Sequence, residues 1–175
     1  HEPSGEMMAR RTLIGEITPG VLGVGANCSR MTRTSILREL GGYDPALRRS
    51  EDTDFNVRFA LQNGHFIGIA EPLVIQTMTT GTDKHLDDEY QAQIRMYEKH
   101  RGFLQSIGWA SFNDLWLEAR FAHLRRNKLR LVLLLAKALL TSPVKCIKKI
   151  LWSLPARGSR KTMQTWYKEN FVRVT

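Results

Sequence analysis

The spacing of apolar residues predicts helices over much of the chain. Residues 51–63 carry apolar side chains at helical spacing between Ser50, a good N-cap residue, and Gly64, a good terminator. From Asp83 onward, apolar and aromatic residues recur at steps of four, four and three, which predicts a longer amphipathic helix. The residues on this face are Leu86, Tyr90, Ile94 and Tyr97.

A short helix and a turn are predicted ahead of residues 51–63. The segment TRTSILRELGG predicts a helix that Thr32 or Thr34 caps and that Gly41 ends. A turn follows at Asp44 and Pro45, because a residue before proline is disfavoured in the helical region.

The carboxy-terminal part of the chain also has a helical pattern. Residues 110–141 predict one long helix, Ser142 and Pro143 predict a break, and a second amphipathic helix is expected to end at about Leu154.

Short strands are predicted in two places. The segment GVLGVGANCSR, residues 20–30, combines small and β-branched residues, which is typical of a buried strand that leads into a loop. The segment HFIGIAEPLVIQ, residues 65–76, predicts two short strands broken at its Glu-Pro pair. Residues 20–76 thus contain predicted strands as well as predicted helices.

Charge divides the chain into two unequal parts. Residues 1–119 hold 12 Lys and Arg against 16 Asp and Glu, whereas residues 120–175 hold 14 against 1. A mildly acidic body therefore precedes a strongly basic tail. Cys28 and Cys146 match neither a disulfide framework nor a zinc-site spacing, and no apolar run reaches the ~20 residues that cross a bilayer. These features favour a reducing, cytoplasmic setting.

Three carboxylates, Glu51, Asp52 and Asp54, lie within four residues at the start of a predicted helix. Acids in the first turn of a helix are favoured by the macrodipole, each by roughly 0.3–1 kcal/mol, and Arg48 and Arg49 can pair with them at the surface. The same position also suits a general base, because backbone N–H groups favour an ionised carboxylate and a rigid helix positions it. The cluster alone leaves both interpretations open.

The order of motifs around this cluster is more informative. A small-residue strand leads into GANCSR, a short helix ends at LGGYD, EDTDF begins a helix, and a glycine and a Glu-Pro strand follow. This order strongly resembles the carboxy-terminal half of the catalytic domain of family 2 glycosyltransferases, inverting enzymes with the GT-A fold. The resemblance covers roughly Gly20 to Leu104 and is most specific at GGYDPALRRSEDTDF, residues 41–55.

The resemblance implies a fold and a division of the chain. It implies a mixed α/β fold from Gly20 to about Gly108, followed by basic α-helices. This α/β part would be a partial GT-A domain, a Rossmann-like nucleotide-diphospho-sugar transferase fold, that lacks its donor-binding half. Residues 1–108 would form the acceptor-side half and residues 109–175 a basic amphipathic helical extension. We expect the chain to be part of a longer enzyme.

The resemblance also implies roles for single residues. Asp52 would be the general base that deprotonates the acceptor hydroxyl as it attacks the anomeric carbon, and Glu51 would shape the acceptor site beside it. Asp54 is expected to be structural, and Arg58 is expected to pair with an acid one turn earlier.

The loop GANCSR is implied to line the site near the transferred sugar. Asn27 and Arg30 would be its substrate-binding residues. A loop-capping amide for Asn27 and a surface cation for Arg30 are equally good interpretations.

A divalent metal, Mg²⁺ or Mn²⁺, is implied for the complete enzyme. The family holds it on the donor diphosphate with an Asp-x-Asp motif that should precede this segment, but no such motif occurs before residue 50. Many relatives also carry a histidine after the Glu-Pro strand; here Gln76 stands nearest and His85 follows, better explained as a solvated helix-start residue. We therefore expect no transfer of sugar by these residues alone, because the leaving diphosphate would lack charge stabilisation.

The implied function is inverting transfer of a hexose from a nucleotide-sugar donor to a hydroxyl of a glycan or lipid-linked acceptor, in bacterial polysaccharide biosynthesis. The alternative is a non-catalytic membrane- or partner-binding module that retains the half-fold. The basic tail suits an anionic membrane surface, and equally a solvated helix pair packed on the body. Nucleic acid is not expected as a partner, because residues 129–154 are rich in aliphatic side chains. The expected location is cytoplasmic, with a peripheral position on the inner face of the cell membrane as an option.

Overall fold

The computed structural model describes residues 5–17, 30–67 and 85–152. Helices make up 72% of these residues. The helices are α1 (Gly5–Ile14), α2 (Thr34–Glu39), α3 (Glu51–Leu61), α4 (Leu86–Lys99), α5 (Arg101–Ser106), α6 (Ala110–Leu124), α7 (Lys128–Thr141) and α8, residues 143–152.

The expected α/β, partial GT-A fold is wrong. Strand makes up 1% of the described residues, and they contain no sheet. The predicted strand near residue 20 lies outside the described residues, and of residues 65–76 only 65–67 are described, with a single bridge at His65. The physical reason is that the described apolar residues recur at helical spacing and bury against other helices, so helices alone supply this core.

One hydrophobic core joins the helices. Helix α1 packs on α3, and α7 packs on α6. Seven of the helices contribute to the same buried cluster, and α2 has no buried residue. Its members include Met8, Ile14, Val57, Ala60, Met96, Leu104, Phe112, Ala138 and Cys146. The core therefore continues across residue 108, where the division of the chain into 1–108 and 109–175 stays a prediction.

Helix α1 was not predicted by the sequence pattern. Its apolar face is completely buried at Met8, Ala9 and Ile14, but charged residues interrupt the sequence between them. This face is stabilised by contact with α3 rather than by local periodicity. An isolated segment of this length gives little helical signal of its own.

The predicted long helix over residues 110–141 is divided in two. Arg126 adopts a left-handed conformation, with φ 58°, and ends α6. Asn127 then caps α7, because its side chain accepts a hydrogen bond from the backbone N–H of Arg130 at 3.0 Å. The predicted break at Ser142 is confirmed, since α7 ends at Thr141 and α8 begins at residue 143.

Helix α3 is confirmed, but the hydrogen bonds at its ends differ in part from those predicted. Ser50 occupies the N-cap position, but at φ 64° and without a side-chain capping bond. Asn63 takes the left-handed conformation after the last turn, with φ 58°. The backbone N–H of Gly64 donates to the carbonyl of Phe59 at 2.9 Å, so Gly64 closes the helix as predicted. The predicted end of α2 at Gly41 is also confirmed, and neither Thr32 nor Thr34 is its N-cap.

Two glycines provide a test of this packing. A Cβ atom on Gly64 would lie 2.5 Å from ring atoms of Phe59, whose ring packs edge-on against Phe66 at 5.0 Å. We expect Gly64→Ala to lower the free energy of unfolding by about 1–3 kcal/mol, because the Phe59 ring must move. Urea denaturation followed by circular dichroism measures this change.

The matched control is Gly102→Ala. Gly102 lies in α5, and a Cβ atom added to it would meet open space, with no neighbouring atom within 4 Å. Alanine is expected to raise the free energy of unfolding there by about 0.5–1 kcal/mol. Equal stabilities of Gly64→Ala and the wild type would contradict the described contact with Phe59.

Candidate functional site

Asp54 is a fully buried carboxylate held by three basic side chains. Its Oδ2 accepts hydrogen bonds from Arg58 Nε at 2.9 Å and from Lys99 Nζ at 3.0 Å, and its Oδ1 lies 2.9 Å from His100 Nε2. Burial would raise the pKa of Asp54, but the hydrogen bonds from His100, Lys99 and Arg58 outweigh it and lower the pKa to about 2. An ionised carboxylate only accepts hydrogen bonds, so His100 donates through Nε2.

Arg58 extends this cluster to the end of α2. The predicted pairing of Arg58 with an acid one turn earlier is confirmed by its contact with Asp54. Its guanidinium also donates to the carbonyl of Leu40 and, at 2.6 Å, to that of Gly42. Gly41 has φ 74° and Gly42 has φ 70°, a backbone region that side chains disfavour. The Leu-Gly-Gly turn is therefore fixed against α3 by one arginine.

Lys99 extends the cluster to the loop before α3. Its Nζ contacts Asp44 Oδ2 at 2.5 Å, and Asp44 Oδ1 accepts from the backbone N–H of Ala46 at 2.9 Å. These two hydrogen bonds lower the pKa of Asp44, that from Lys99 most strongly. Gln93 Nε2 reaches Ser50 Oγ at 3.4 Å at the other end of the loop. The predicted turn at Asp44 is confirmed, and α4 holds the loop at both ends.

Glu51 and Asp52, the predicted catalytic residues, are both partly exposed in the first turn of α3. The backbone N–H of Thr53 donates to Asp52 Oδ1 at 2.7 Å, and Thr53 Oγ1 lies 3.3 Å from the same oxygen. Asp52 and Asp54 are two positions apart, so their side chains leave the helix on different sides. The helix start thus separates an accessible pair of acids from a buried third one.

Arg30, a predicted substrate-binding residue, lies against α3. Its Nη1 donates to Asn56 Oδ1 and its Nη2 to the Tyr43 hydroxyl, each at 2.5 Å. The guanidinium also lies 4.3 Å from the centroid of the Phe55 ring, within cation–π range. This position gives Arg30 a structural role, and its contact with a sugar stays a prediction. Asn27, the other predicted residue, lies outside the described residues.

The described residues do not supply the ligands of the metal site that the resemblance implies. No group of three or more His, Cys, Asp or Glu side chains in the described ranges is arranged to hold a metal ion. Asp52-x-Asp54 cannot clamp a diphosphate-bound metal, because the Asp54 oxygens already bind three basic groups. His85 is an exposed residue at the N-cap position of α4, as expected, and Gln76 lies outside the described residues.

The partners of Asp54 at the end of α4 were not predicted from the sequence. Lys99 is the last residue of α4 and His100 follows it directly, and their contacts with Asp54 join residues separated by 45 and 46 positions. No local spacing rule connects such residues. The acids at the start of α3 and Arg58 were the detectable signals.

Known proteins give no assignment for this chain. No protein-family model, curated protein or solved structure matches it.

The buried cluster predicts a specific dependence of stability on pH. Asp54→Asn is expected to lower the free energy of unfolding at pH 7 by about 3–5 kcal/mol, because its basic partners lose their counter-charge. The folded pKa of about 2 lies below the ordinary value of 3.8. The contribution of Asp54 is therefore complete above about pH 4 and is lost as the pH falls towards 2. In chemical denaturation, the difference in free energy of unfolding between the wild type and Asp54→Asn should shrink by roughly 2 kcal/mol as the pH falls from 7 to 2.

Asp114→Asn is the matched control. Asp114 forms an ion pair with Arg101 at 2.9 Å, but both side chains are more than 40% exposed, at 42% and 45%. We expect its loss to change the free energy of unfolding by about 1 kcal/mol or less. A similar small effect for Asp54→Asn would refute the clamped, buried carboxylate.

Proposed function

We propose that this chain provides the acceptor side of an inverting glycosyltransferase, with Asp52 as the general base. One observation carries the proposal: the first turn of α3 holds Asp54 rigidly inside the protein and leaves Asp52 and Glu51 partly exposed. The resemblance of residues 41–55 to the family's acceptor motif supports the same assignment. The proposal concerns the chemistry of this site and not the fold expected from the sequence.

The proposed reaction is a single displacement. The acceptor hydroxyl oxygen forms a bond with the anomeric carbon of the donor hexose while the bond from that carbon to the diphosphate oxygen breaks. The hydroxyl proton passes to the Asp52 carboxylate, and the nucleoside diphosphate leaves with the electron pair. One displacement inverts the configuration at the anomeric carbon. A positioned base contributes typically 10²- to 10⁴-fold to such a step.

The residues around Asp52 hold its carboxylate in a defined position, which suits a general base. A general base must be held within hydrogen-bond reach of the proton that it removes. Thr53 orients the Asp52 carboxylate at 2.7 Å, and the Asp54 cluster fixes the helix turn that carries it. Glu51 adjoins Asp52 and would accept a hydrogen bond from a second hydroxyl of the acceptor. Sugars present several neighbouring hydroxyls, so two adjacent carboxylates can orient one of them.

The proposal assigns donor binding to other parts of the protein. The nucleotide sugar needs a group that stabilises charge on its diphosphate, usually the largest catalytic contribution. The described residues provide no set of ligands for a divalent metal. The Asp52 site would therefore act on the acceptor alone.

A non-catalytic binding module is the second candidate. The exposed aliphatic side chains of α7 and α8 favour it, because they mark a surface suited to association. The two candidates differ in what they require of Asp52. A binding module needs no base, whereas the transferase depends on it.

The test is Asp52→Asn in the full-length protein. Transfer of labelled hexose from a panel of nucleotide sugars to extracted glycolipid and glycan acceptors identifies a working pair, and kcat is then compared. We expect kcat to fall by about 10²- to 10⁴-fold, with the KM for the donor nearly unchanged, because only the proton acceptor is removed.

Asp88→Asn is the matched control, since Asp88 is an exposed acid in the first turn of α4. It should retain wild-type kcat. Retention of more than a tenth of kcat by Asp52→Asn would exclude Asp52 as the base. An absence of transfer by the wild type with every donor would favour the binding module.

A further inference from the structure

Helix α7 is apolar on two opposite sides. Ala138 is buried on the inner side, and the helix packs there on α6. The outer side repeats at steps of three and four residues, which places its members on one face. These residues are Leu129, Val132, Leu133, Ala136 and Leu140. The four large ones are 62% to 85% exposed, so the described residues leave this face largely uncovered.

Helix α8 packs on the core by an inner side on which Cys146 is buried and Trp152 stacks on Trp109, with 5.5 Å between the ring centroids. Its inner side carries two lysines: Lys145 lies 5.7 Å from the Trp109 ring centroid, and Lys149 lies 6.0 Å from that of Trp116. Burial, with the nearby charge of Arg120, lowers the pKa of Lys149 to about 8. Its outer side carries aliphatic residues that are 54% to 63% exposed. They are Val144, Ile147, Ile150 and Leu151.

The outer aliphatic residues of α7 and α8, here called the outer face, have basic neighbours. Residues 128–152 contain no Asp or Glu. The exposed cations of the two helices are Lys128, Arg130, Lys137 and Lys148. Arg130 also forms an ion pair with Glu118 of α6 at 2.5 Å. The outer face therefore combines exposed aliphatic groups with neighbouring charged side chains that are all positive.

We propose that the outer face docks on an anionic lipid bilayer, with α7 and α8 lying in its interface. A bilayer surface offers both features that the face requires: an acyl boundary for aliphatic side chains and negative headgroups for Lys and Arg. No helix in the described ranges is long and apolar enough to cross a bilayer. We expect only the aliphatic side chains of the outer face to enter the bilayer interface.

The composition of the face argues for lipid over a protein partner. The centres of protein interfaces are enriched in Trp, Tyr and Arg and depleted in Lys, and their energetic hot spots contain few Leu and Val residues. The outer face contains only aliphatic residues at its centre and has three lysines among its four neighbouring cations. This is the composition of an interfacial helix.

Charge argues against two other occupants. A second copy of the outer face would bring cations of the same sign together. Residues 153–175 of this chain hold 5 Lys and Arg against 1 Glu, so they too carry the same sign as the face. Like charges in apposition disfavour both associations. An anionic bilayer has the complementary charge.

The first test is flotation of the full chain with lipid vesicles. One set contains phosphatidylcholine alone, and the other has about a third of its lipid replaced by phosphatidylglycerol. We expect binding to the anionic set at least about tenfold stronger than to the neutral set. The double variant Leu133→Glu, Leu140→Glu should lose about tenfold or more of the anionic binding, because both side chains would insert.

The matched control is Leu61→Glu with Leu86→Glu. These leucines are 40% and 38% exposed and belong to α3 and α4, not to the two helices of the outer face. The control has the same change in net charge, so it should keep most of the wild-type binding. Equal binding by the two double variants would overturn insertion of the outer face.

A second pair of variants tests the charge. Lys137→Gln with Lys148→Gln should weaken binding to anionic vesicles by about fivefold for each lysine. Arg33→Gln with Arg38→Gln removes the same charge from exposed positions around α2 and should have a much smaller effect. Equal weakening by both pairs would overturn the proposal in favour of general polycation behaviour.

Two further outcomes would also overturn it. If the wild type does not float and instead forms a dimer that Leu140→Glu dissociates in size-exclusion chromatography, the face is a contact between copies. If circular dichroism shows that Leu133→Glu or Leu140→Glu is unfolded, these side chains are buried in the native chain and the outer face is covered there. Wild-type folding of these variants, together with lost flotation, supports docking on the bilayer.

Discussion

The carboxylate of Asp54 organises the described structure around one electrostatic requirement. A charge removed from water must be paired and hydrogen-bonded, and Asp54 meets this with groups from α3 and from the end of α4. Each long-chain partner makes another contact, Arg58 with the turn after α2 and Lys99 with Asp44. Buried ion pairs of this kind add little net stability, but removing one partner is costly because it leaves an unpaired buried charge. These contacts join α3, the end of α4, the turn after α2 and the loop that carries Asp44.

This arrangement separates two roles between acids that are two residues apart. Asp54 loses its contact with solvent and gains fixed partners, which removes it from any chemistry with a substrate. Asp52 keeps part of its exposure and lies in the same helical turn as the buried Asp54. A general base requires a precise position. The buried Asp54 helps to position Asp52, and Asp52 stays partly exposed. The acidic cluster is thus both a helix-start motif and the basis for the proposed site.

Local rules predicted local features and failed where distant residues decide the structure. The pairing of Arg58 with Asp54 follows from one helical turn, and the break at Ser142 follows from the next residue being proline. The partners Lys99 and His100 depend on how α4 packs, which no spacing in the sequence specifies. Helix α1 gives too weak a periodicity to be detected without α3. The α/β class was wrong for a different reason: it followed the resemblance, whereas the described apolar residues recur at helical spacing and pack helix on helix.

The pattern of α8 correctly predicted an amphipathic helix but left open which side faces the protein. The inner side buries Cys146, stacks Trp152 on Trp109 and places Lys145 and Lys149 over tryptophan rings, so the remaining aliphatic side faces outward. The same packing that holds the helix in place thus creates the outer face. If both proposals hold, glycosyl transfer takes place at the membrane surface. A lipid-linked acceptor diffuses only within its membrane, so a protein docked there meets it at a raised local concentration, and the Asp52 site need bind it only weakly.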